Sequence, residues 1–229
     1  RSSDECGVAQ QCNMATHKCF VPSKACPGSS GGVSCSGHGS CVFTSSVTGN
    51  STASCLLDDS TCSASCECFS GYGSSDCSMT QDELSQMQTI RTQLLQGLAS
   101  VASLENTDSQ ALSSWASSLV SITQQTSQIS SEGVISAQQT LQAIISGAQS
   151  SYASTDTMTN AVAALDNLMS ASLTTSSSAQ GGRRLASSSS SSSSSSLMST
   201  LDQAGQVITQ SMLSGQSVQN NLLTNFRMA

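Results

Sequence analysis

Apolar residues in the last two-thirds of this chain recur every three or four positions, the spacing of one face of an α-helix. Thr80-Gln81-Asp82-Glu83 reads as a capping box, the Thr hydroxyl and Glu carboxylate serving opposed backbone donors. It opens a first helix whose stripe, expected to be buried, is Leu84, Met87, Ile90, Leu94, Leu98 and Val101. Asn106-Thr107-Asp108 breaks the pattern and offers a new cap, and Leu112, Trp115, Leu119, Ile122 and Ile129 mark a second helix. Ser130 or Ser131 caps a third, with Ile135, Leu141, Ile144, Ala148 and Tyr152 on its inner side. A fourth follows Thr155-Asp156, carried by Met158, Val162, Leu165, Leu168 and Met169. The outer faces hold Ser, Thr and Gln rather than Lys and Glu. Ser is a mediocre helix former, so such helices need one another to bury their stripes. Four or five short antiparallel helices are the simplest solution.

From Leu173 to Ser196 the pattern dissolves. Two Gly, the dibasic Arg183-Arg184 and the unbroken Ser187–Ser196 run imply an unpacked loop open to O-glycosylation. The dibasic pair reads as solvated loop charge before it reads as a processing site. Leu197, Leu201, Val207, Ile208 and Met212 resume helical spacing, and Gly215 ends it. The segment from Ser217 to Met228 reads as one or two short strands with an Asn220-Asn221 kink.

Composition divides the chain in two. All 11 Cys lie between Cys6 and Cys77, a density typical of small oxidised scaffolds whose cores need staples. The protein is therefore expected in the secretory pathway, at the cell surface or outside the cell. An odd count leaves at least one sulfur to pair outside this chain or to remain a thiol. Asn50-Ser51-Thr52 is an acceptor for an N-linked glycan and fits the same compartment. Seven basic residues are scattered against 14 acidic ones, for a net charge of −7, which argues against a nucleic-acid partner. No stretch reaches about 18 consecutive apolar residues, so no membrane span is expected. The chain starts at Arg1 without a charged-then-apolar leader and reads as an excised or processed piece.

Cys66-Glu67-Cys68-Phe69-Ser70-Gly71-Tyr72 followed by Asp76-Cys77, with Cys35-Ser36-Gly37-His38-Gly39-Ser40-Cys41 upstream, resembles the epidermal-growth-factor-like (EGF-like) module of tenascin-type matrix proteins. One-residue spacing sends Cys66 and Cys68 to the same face of a strand, and Gly71 supplies a turn back to Cys77. The family's first-third, second-fourth and fifth-sixth pattern implies Cys26–Cys41, Cys35–Cys66 and Cys68–Cys77. A long insert between Cys41 and Cys66 departs from the usual module and holds Cys55 and Cys62. Those two could pair with each other, or either could replace Cys66. Cys6, Cys12 and Cys19 belong to something truncated before Arg1 or to a small knuckle of their own. Asp4-Glu5-Cys6 looks like the start of calcium-binding versions of the module, but later supporting oxygen ligands are missing. Spacings around His17 and His38 repeat no zinc pattern, so no metal or cofactor is expected, and both His are read as exposed loop positions.

The stripes of 84–169, the last helix, and Gly215-Gln216-Ser217-Val218 leading to Thr224-Asn225-Phe226-Arg227-Met228 are similar to the helical subdomain of GAIN regions. These occur in adhesion receptors and polycystin-type receptors. That resemblance implies that the final strand begins a β-sandwich.

The expected fold is a small disulfide-rich β module plus an all-α helical bundle with a short C-terminal strand. Its segments are a truncated Cys-rich piece at 1–25, the EGF-like module with insert at 26–78 and the bundle at 79–171. A Ser-rich loop at 172–196, a last helix at 197–214 and the start of a β region at 215–229 follow. Abundant Ser without a positioned base is no nucleophile, Asp58-Asp59 reads as solvated, and no phosphate loop is present, so catalysis is not expected. Two roles remain. One is a non-catalytic extracellular segment of a receptor-like protein, serving adhesion or mechanical spacing. The other is a structural subunit of an extracellular glycoprotein filament or matrix, of the flagellar-hair kind. Expected partners are other extracellular proteins or copies of itself, with glycans attached covalently.

Overall fold

The computed structural model describes residues 6–7, 9–150, 153–177, 197–206, 221–222 and 227–228. Asp4, Glu5, Tyr152, the Arg183-Arg184 pair, the Ser187–Ser196 run, Val207, Ile208, Met212 and Gly215 lie outside the described residues. The chain forms two compact units, Arg1–Leu84 and Ser85–Ala229.

The first unit is built from short strands. β1 (Gln11–Asn13) and β2 (Lys18–Phe20) form one hairpin. β3 (Gly39–Ser45) stands between β4 (Ser51–Thr52) and β5 (Cys62–Cys68), antiparallel to both. β6 (Tyr72–Gly73) pairs with β7 (Met79–Thr80). The expected boundary at 78/79 therefore falls too early. Met79 and Thr80 belong to a strand of the first unit, and α1 (Gln81–Leu104) carries the chain from one unit into the other. The box at its start is formed: the Thr80 amide and hydroxyl donate to Glu83 Oε2 at 2.9 and 2.8 Å, and the Glu83 amide donates to Thr80 Oγ1.

The second unit is helical, with α2 (Ser109–Thr123), α3 (Ser131–Ser150), α4 (Thr155–Ser177) and α5 (197–206) following α1. Helix α4 continues past the expected end of the bundle at 171. Each of α2, α3 and α4 starts on a cap. The Ala111 amide donates to Asp108 Oδ1, the Gly133 amide to Ser130 Oγ, and the Thr157 amide to Ser154 Oγ. β8 (Asn221–Leu222) and β9 (Arg227–Met228) pair antiparallel. None of the described helices is long and apolar enough to cross a membrane.

The core gathers Leu95, Leu112, Trp115, Leu119, Leu141, Ile144, Leu165, Leu168 and Leu197. Ile145, Met158, Val162 and Ala204 make a smaller cluster. At Gly147 an added Cβ would stand 2.7 Å from Leu112 Cδ2 and 3.1 Å from Thr107 Cβ, so α3 approaches the start of α2 as closely as glycine allows. Trp115 is buried yet satisfied, its Nε1 donating to Glu105 Oε2. Many helical hydroxyls bond their own backbone: Thr89 to Ser85 O, Ser100 to Gln96 O, Ser117 to Ser113 O, and Thr159 to Thr155 O.

Three expectations are overturned here. On α1, Leu84 is buried and Leu98 packs on the core as expected, but Met87, Ile90, Leu94 and Val101 are exposed, and Thr92, Leu95 and Ala102 are buried in their place. Hydrogen bonds turn the helix this way. Arg91 Nε donates to Gln128 Oε1 and its Nη1 to Ile122 O, Gln88 Nε2 donates to Ser127 O, and Thr92 Oγ1 meets Ser130 Oγ. Polar side chains thus lock α1 to the α2–α3 connection and carry Leu95 into the core. Second, Ile129 is not part of α2. The helix stops at Thr123, a 3₁₀ turn covers Thr126–Gln128, and Ile129 is buried in extended conformation just beyond it. Third, Ile135 is 52% exposed, because Val134 and Ala137 take the inward positions on α3.

Adjacent leucines of α1 test this rotation. In dilute solution Leu95→Ala should cost about 2–5 kcal/mol of unfolding free energy, the usual loss for a core leucine. Leu94→Ala should stay within about 0.5 kcal/mol. Urea denaturation of both variants measures the difference, and equal losses would disprove the rotation.

Glu83 provides a pH test. Hydrogen bonds from the Thr80 amide, then from its hydroxyl, hold the carboxyl below its ordinary range. A lowered folded-state pKa stabilises the box above the unfolded-state value, and this stabilisation is lost as pH falls through the folded value. Amide exchange at Thr80 should therefore accelerate in acid beyond its intrinsic pH dependence. Glu83→Gln should remove that excess.

Candidate functional site

The antiparallel register of β3 and β5 organises the cysteines. It sets Gly39 opposite Cys68, Cys41 opposite Cys66 and Ser45 opposite Cys62. Along β5, Cys62, Ala64, Cys66 and Cys68 alternate with exposed Ser63, Ser65 and Glu67, as the two-residue period of a strand demands. Cys41 and Cys66 are neighbours across the ladder but bond elsewhere, Cys41 to Cys26 and Cys66 to Cys35. Cys68 bonds Cys77. These are the pairs that the resemblance implies. Cys26, Cys35 and Cys77 are buried together, with Cys41, Ala64, Cys66 and Cys68 packed on them. The interior of this module is sulfur.

The insert closes on itself through Cys55–Cys62, one of the pairings left open by the sequence. It is also tied back to the chain before the module. Lys24 Nζ donates to Asp59 O and Cys62 O, both at 2.7 Å, and the Lys24 and Leu57 amides donate to Cys55 O and Pro22 O. Asp59, on the exposed turn, is held below the ordinary carboxyl range by the Thr61 hydroxyl and then by the Thr61 amide. Cys6 bonds Cys19 across the β1–β2 hairpin, so the first cysteines make a knuckle of their own. Cys12, half-buried on β1, stands outside the five disulfides.

The glycines around the module have distinct roles. Gly71 takes φ +89° where the Tyr72 amide donates to Phe69 O, closing the turn that sends the chain back to Cys77. A Cβ on Gly39 would lie 2.7 Å from Cys77 Sγ and 2.8 Å from Glu67 O, so only glycine fits between the strand and that sulfur. His38 corrects its reading as an exposed loop residue. It is half-buried and stacks on Tyr72 with ring centroids 4.0 Å apart, nearly parallel, and its Nδ1 is buried without a hydrogen bond. The stack joins residues 34 positions apart, which no local pattern discloses. His17 is exposed, in the turn between β1 and β2.

Asn50 is exposed in the β3–β4 connection, where its carbonyl accepts from the Ser45 amide. Its side chain is open to a bulky modification. Among the described residues, the cysteines grouped closely enough to hold a metal are Cys26, Cys35 and Cys66. All three sulfurs are already committed to disulfides, which removes the thiolates a metal would need. No described geometry brings His38 or His17 into that group.

Loop length ranks the staples. Cys35–Cys66 spans 31 positions and Cys55–Cys62 only 7, so chain entropy assigns them about 3.7 and about 2.4 kcal/mol. Paired Cys→Ser substitutions of each, compared by chemical denaturation, should show the Cys35–Cys66 loss to be the larger. The reverse order would mean that the insert, not the buried sulfur cluster, limits unfolding. No protein-family model matches this chain, and no curated protein or solved structure matches it either.

Proposed function

We propose that this chain is a non-catalytic extracellular segment of a modular, receptor-like surface protein, serving adhesion or mechanical spacing. The single observation that carries the reading is the sulfur interior around Cys26, Cys35 and Cys77. A core of cystine rather than hydrocarbon has little to hold it once reduced, and disulfides persist in oxidising compartments. The interleaved Cys26–Cys41 and Cys35–Cys66 pairs, the following Cys68–Cys77 pair and the Gly71 turn support an EGF-like identity for 26–78. The order of capped helices followed by a short β pair is in keeping with a GAIN-type helical region. Such a module would act through its shape, as a stiff unit whose ends are fixed by cross-links. Asn50 would carry an N-linked glycan.

A second reading, a subunit of an extracellular glycoprotein filament or matrix, is favoured by one observation. The apolar row of Met87, Ile90, Leu94 and Val101 on α1 is exposed, as an assembly surface would be.

Mass spectrometry of protein recovered from the secretory route of producing cells, alkylated before and after reduction, tests the proposal. The expected result is protection of the ten cysteines of the five disulfides before reduction and a peptide-N-glycosidase-sensitive mass at Asn50. Labelling of most cysteines without reduction would overturn the extracellular assignment. Regular fibres in negative-stain images of the native material would decide for the filament.

A further inference from the structure

Helix α1 has two apolar faces, and the core uses one. Leu95 and Ala102 are buried in it, with Leu98 packed against them. The second row is Met87, Ile90, Leu94, Val101 and Leu104, between 42% and 87% exposed. With 3.6 residues per turn the two rows stand about 100° apart around the helix, so the neighbours that bury the first leave the second uncovered. The exposed row has alternating steps of three and four from Met87 to Leu104, with Gly97 at the missing place. That is the seven-residue repeat of a two-helix seam.

Gly97 singles out the occupant. A glycine inside a helix destabilises it by about 1 kcal/mol relative to alanine. Nothing among the described residues requires it, because an added Cβ there meets none of their atoms within 4 Å. Laid antiparallel against itself, the row is self-complementary. Met87 faces Leu104 of a second copy, Ile90 faces Val101, and Leu94 faces Gly97. Each layer pairs a first with a fourth heptad position, as an antiparallel seam does, and Leu94 enters the gap that Gly97 leaves.

Charge agrees. The positions flanking the row on one side are Gln86, Gln93 and Ser100. On the other side Arg91, half-buried, is bonded to Gln128 and Ile122, and Glu105, though exposed, accepts from Trp115. The helical unit, Ser85–Ala229, carries six acidic and four basic residues, a net of −2, so two copies repel little. A strongly charged partner would find nothing on this face to pair with.

We propose that α1 pairs antiparallel with α1 of a second copy of this chain, through Met87, Ile90, Leu94, Gly97, Val101 and Leu104. The seam is about 27 Å long, which places it among small interfaces and makes the dimer concentration-dependent, with a dissociation constant in the micromolar range. This pairing goes beyond the functional reading and does not depend on where the protein resides.

Sedimentation analysis of the full oxidised chain across the micromolar range tests it. Wild type should pass from monomer to dimer. Ile90→Glu and Val101→Lys should each raise the dissociation constant at least tenfold with unchanged far-ultraviolet circular dichroism. Mixing the two variants should restore a heterodimer. In an antiparallel pair the introduced carboxylate of one variant would face the introduced ammonium of the other, while the native Val101 and Ile90 meet at the other end. A wild type that stays monomeric overturns the proposal, as does a dimer indifferent to both substitutions. A mixture that remains monomeric overturns the antiparallel register. A monomer whose thermal midpoint falls with Ile90→Glu would mean that another part of the same chain covers the face, and this too overturns the pairing.

Discussion

Across the β3–β5 ladder Cys41 lies opposite Cys66, and the two sulfurs are held apart by bonding Cys26 and Cys35 respectively. This crossing holds the sheet to the chain just before it. It joins three stretches of chain to one sheet face and leaves room only for small groups between them. Gly39 follows from it, since its neighbours are the Cys77 sulfur and the Glu67 carbonyl. So does the turn at Gly71, which must reverse the chain within the nine positions separating Cys68 from Cys77. The His38–Tyr72 stack then covers the end of the sheet where β3 and β5 meet the turn, through the Phe69 amide donating to His38 O.

The second unit answers a different problem. It holds its helices with hydrocarbon and carries few charges, so its outer faces depend on hydroxyls. Those of Thr89, Ser100, Ser117 and Thr159 satisfy themselves on the preceding turn. Such bonds leave the helix surface polar without giving it sign. Specificity at the bundle's edge is therefore supplied by a few directed polar contacts. Arg91 is the clearest, since it ties α1 to both Ile122 and Gln128 and so spans the end of α2 and the turn after it.

What the sequence disclosed follows the range of each interaction. The capping box at Thr80–Glu83 and the caps at Asp108 and Ser130 lie within a single turn and were legible. The Cys66–Cys68 spacing was legible for a similar reason, because strand alternation fixes which face each sulfur takes. The rotation of α1 was hidden, because Leu94 and Leu95 are adjacent and equally apolar, and the choice is made by hydrogen bonds to residues more than 30 positions away. Ile129 continued the helical period across a break made of Thr126, Ser127 and Gln128, none of which announces a turn. His38 could not be placed from its Gly-flanked position, since its partner lies on another strand.

The helical period reports that a face is apolar, not what covers it. In α1 the period picked out an apolar row correctly, but most of that row, Met87, Ile90, Leu94 and Val101, faces outward while Leu95 and Ala102 face the core. A helix serving only its own bundle has no use for the second row, whose side chains stay in water and forgo the roughly 25 cal/mol per Å² of apolar surface that burial would supply. Nor has it a use for Gly97, which weakens the helix and, among the described residues, has no atom within 4 Å of where its Cβ would stand. Two unfavourable features on the same face, in a register that makes them complementary, have one common explanation in a second helix of the same sequence. Rigid anchorage strengthens it, because the Arg91, Gln88 and Thr92 contacts fix the rotation of α1 before any partner arrives, so association need not reorder the helix.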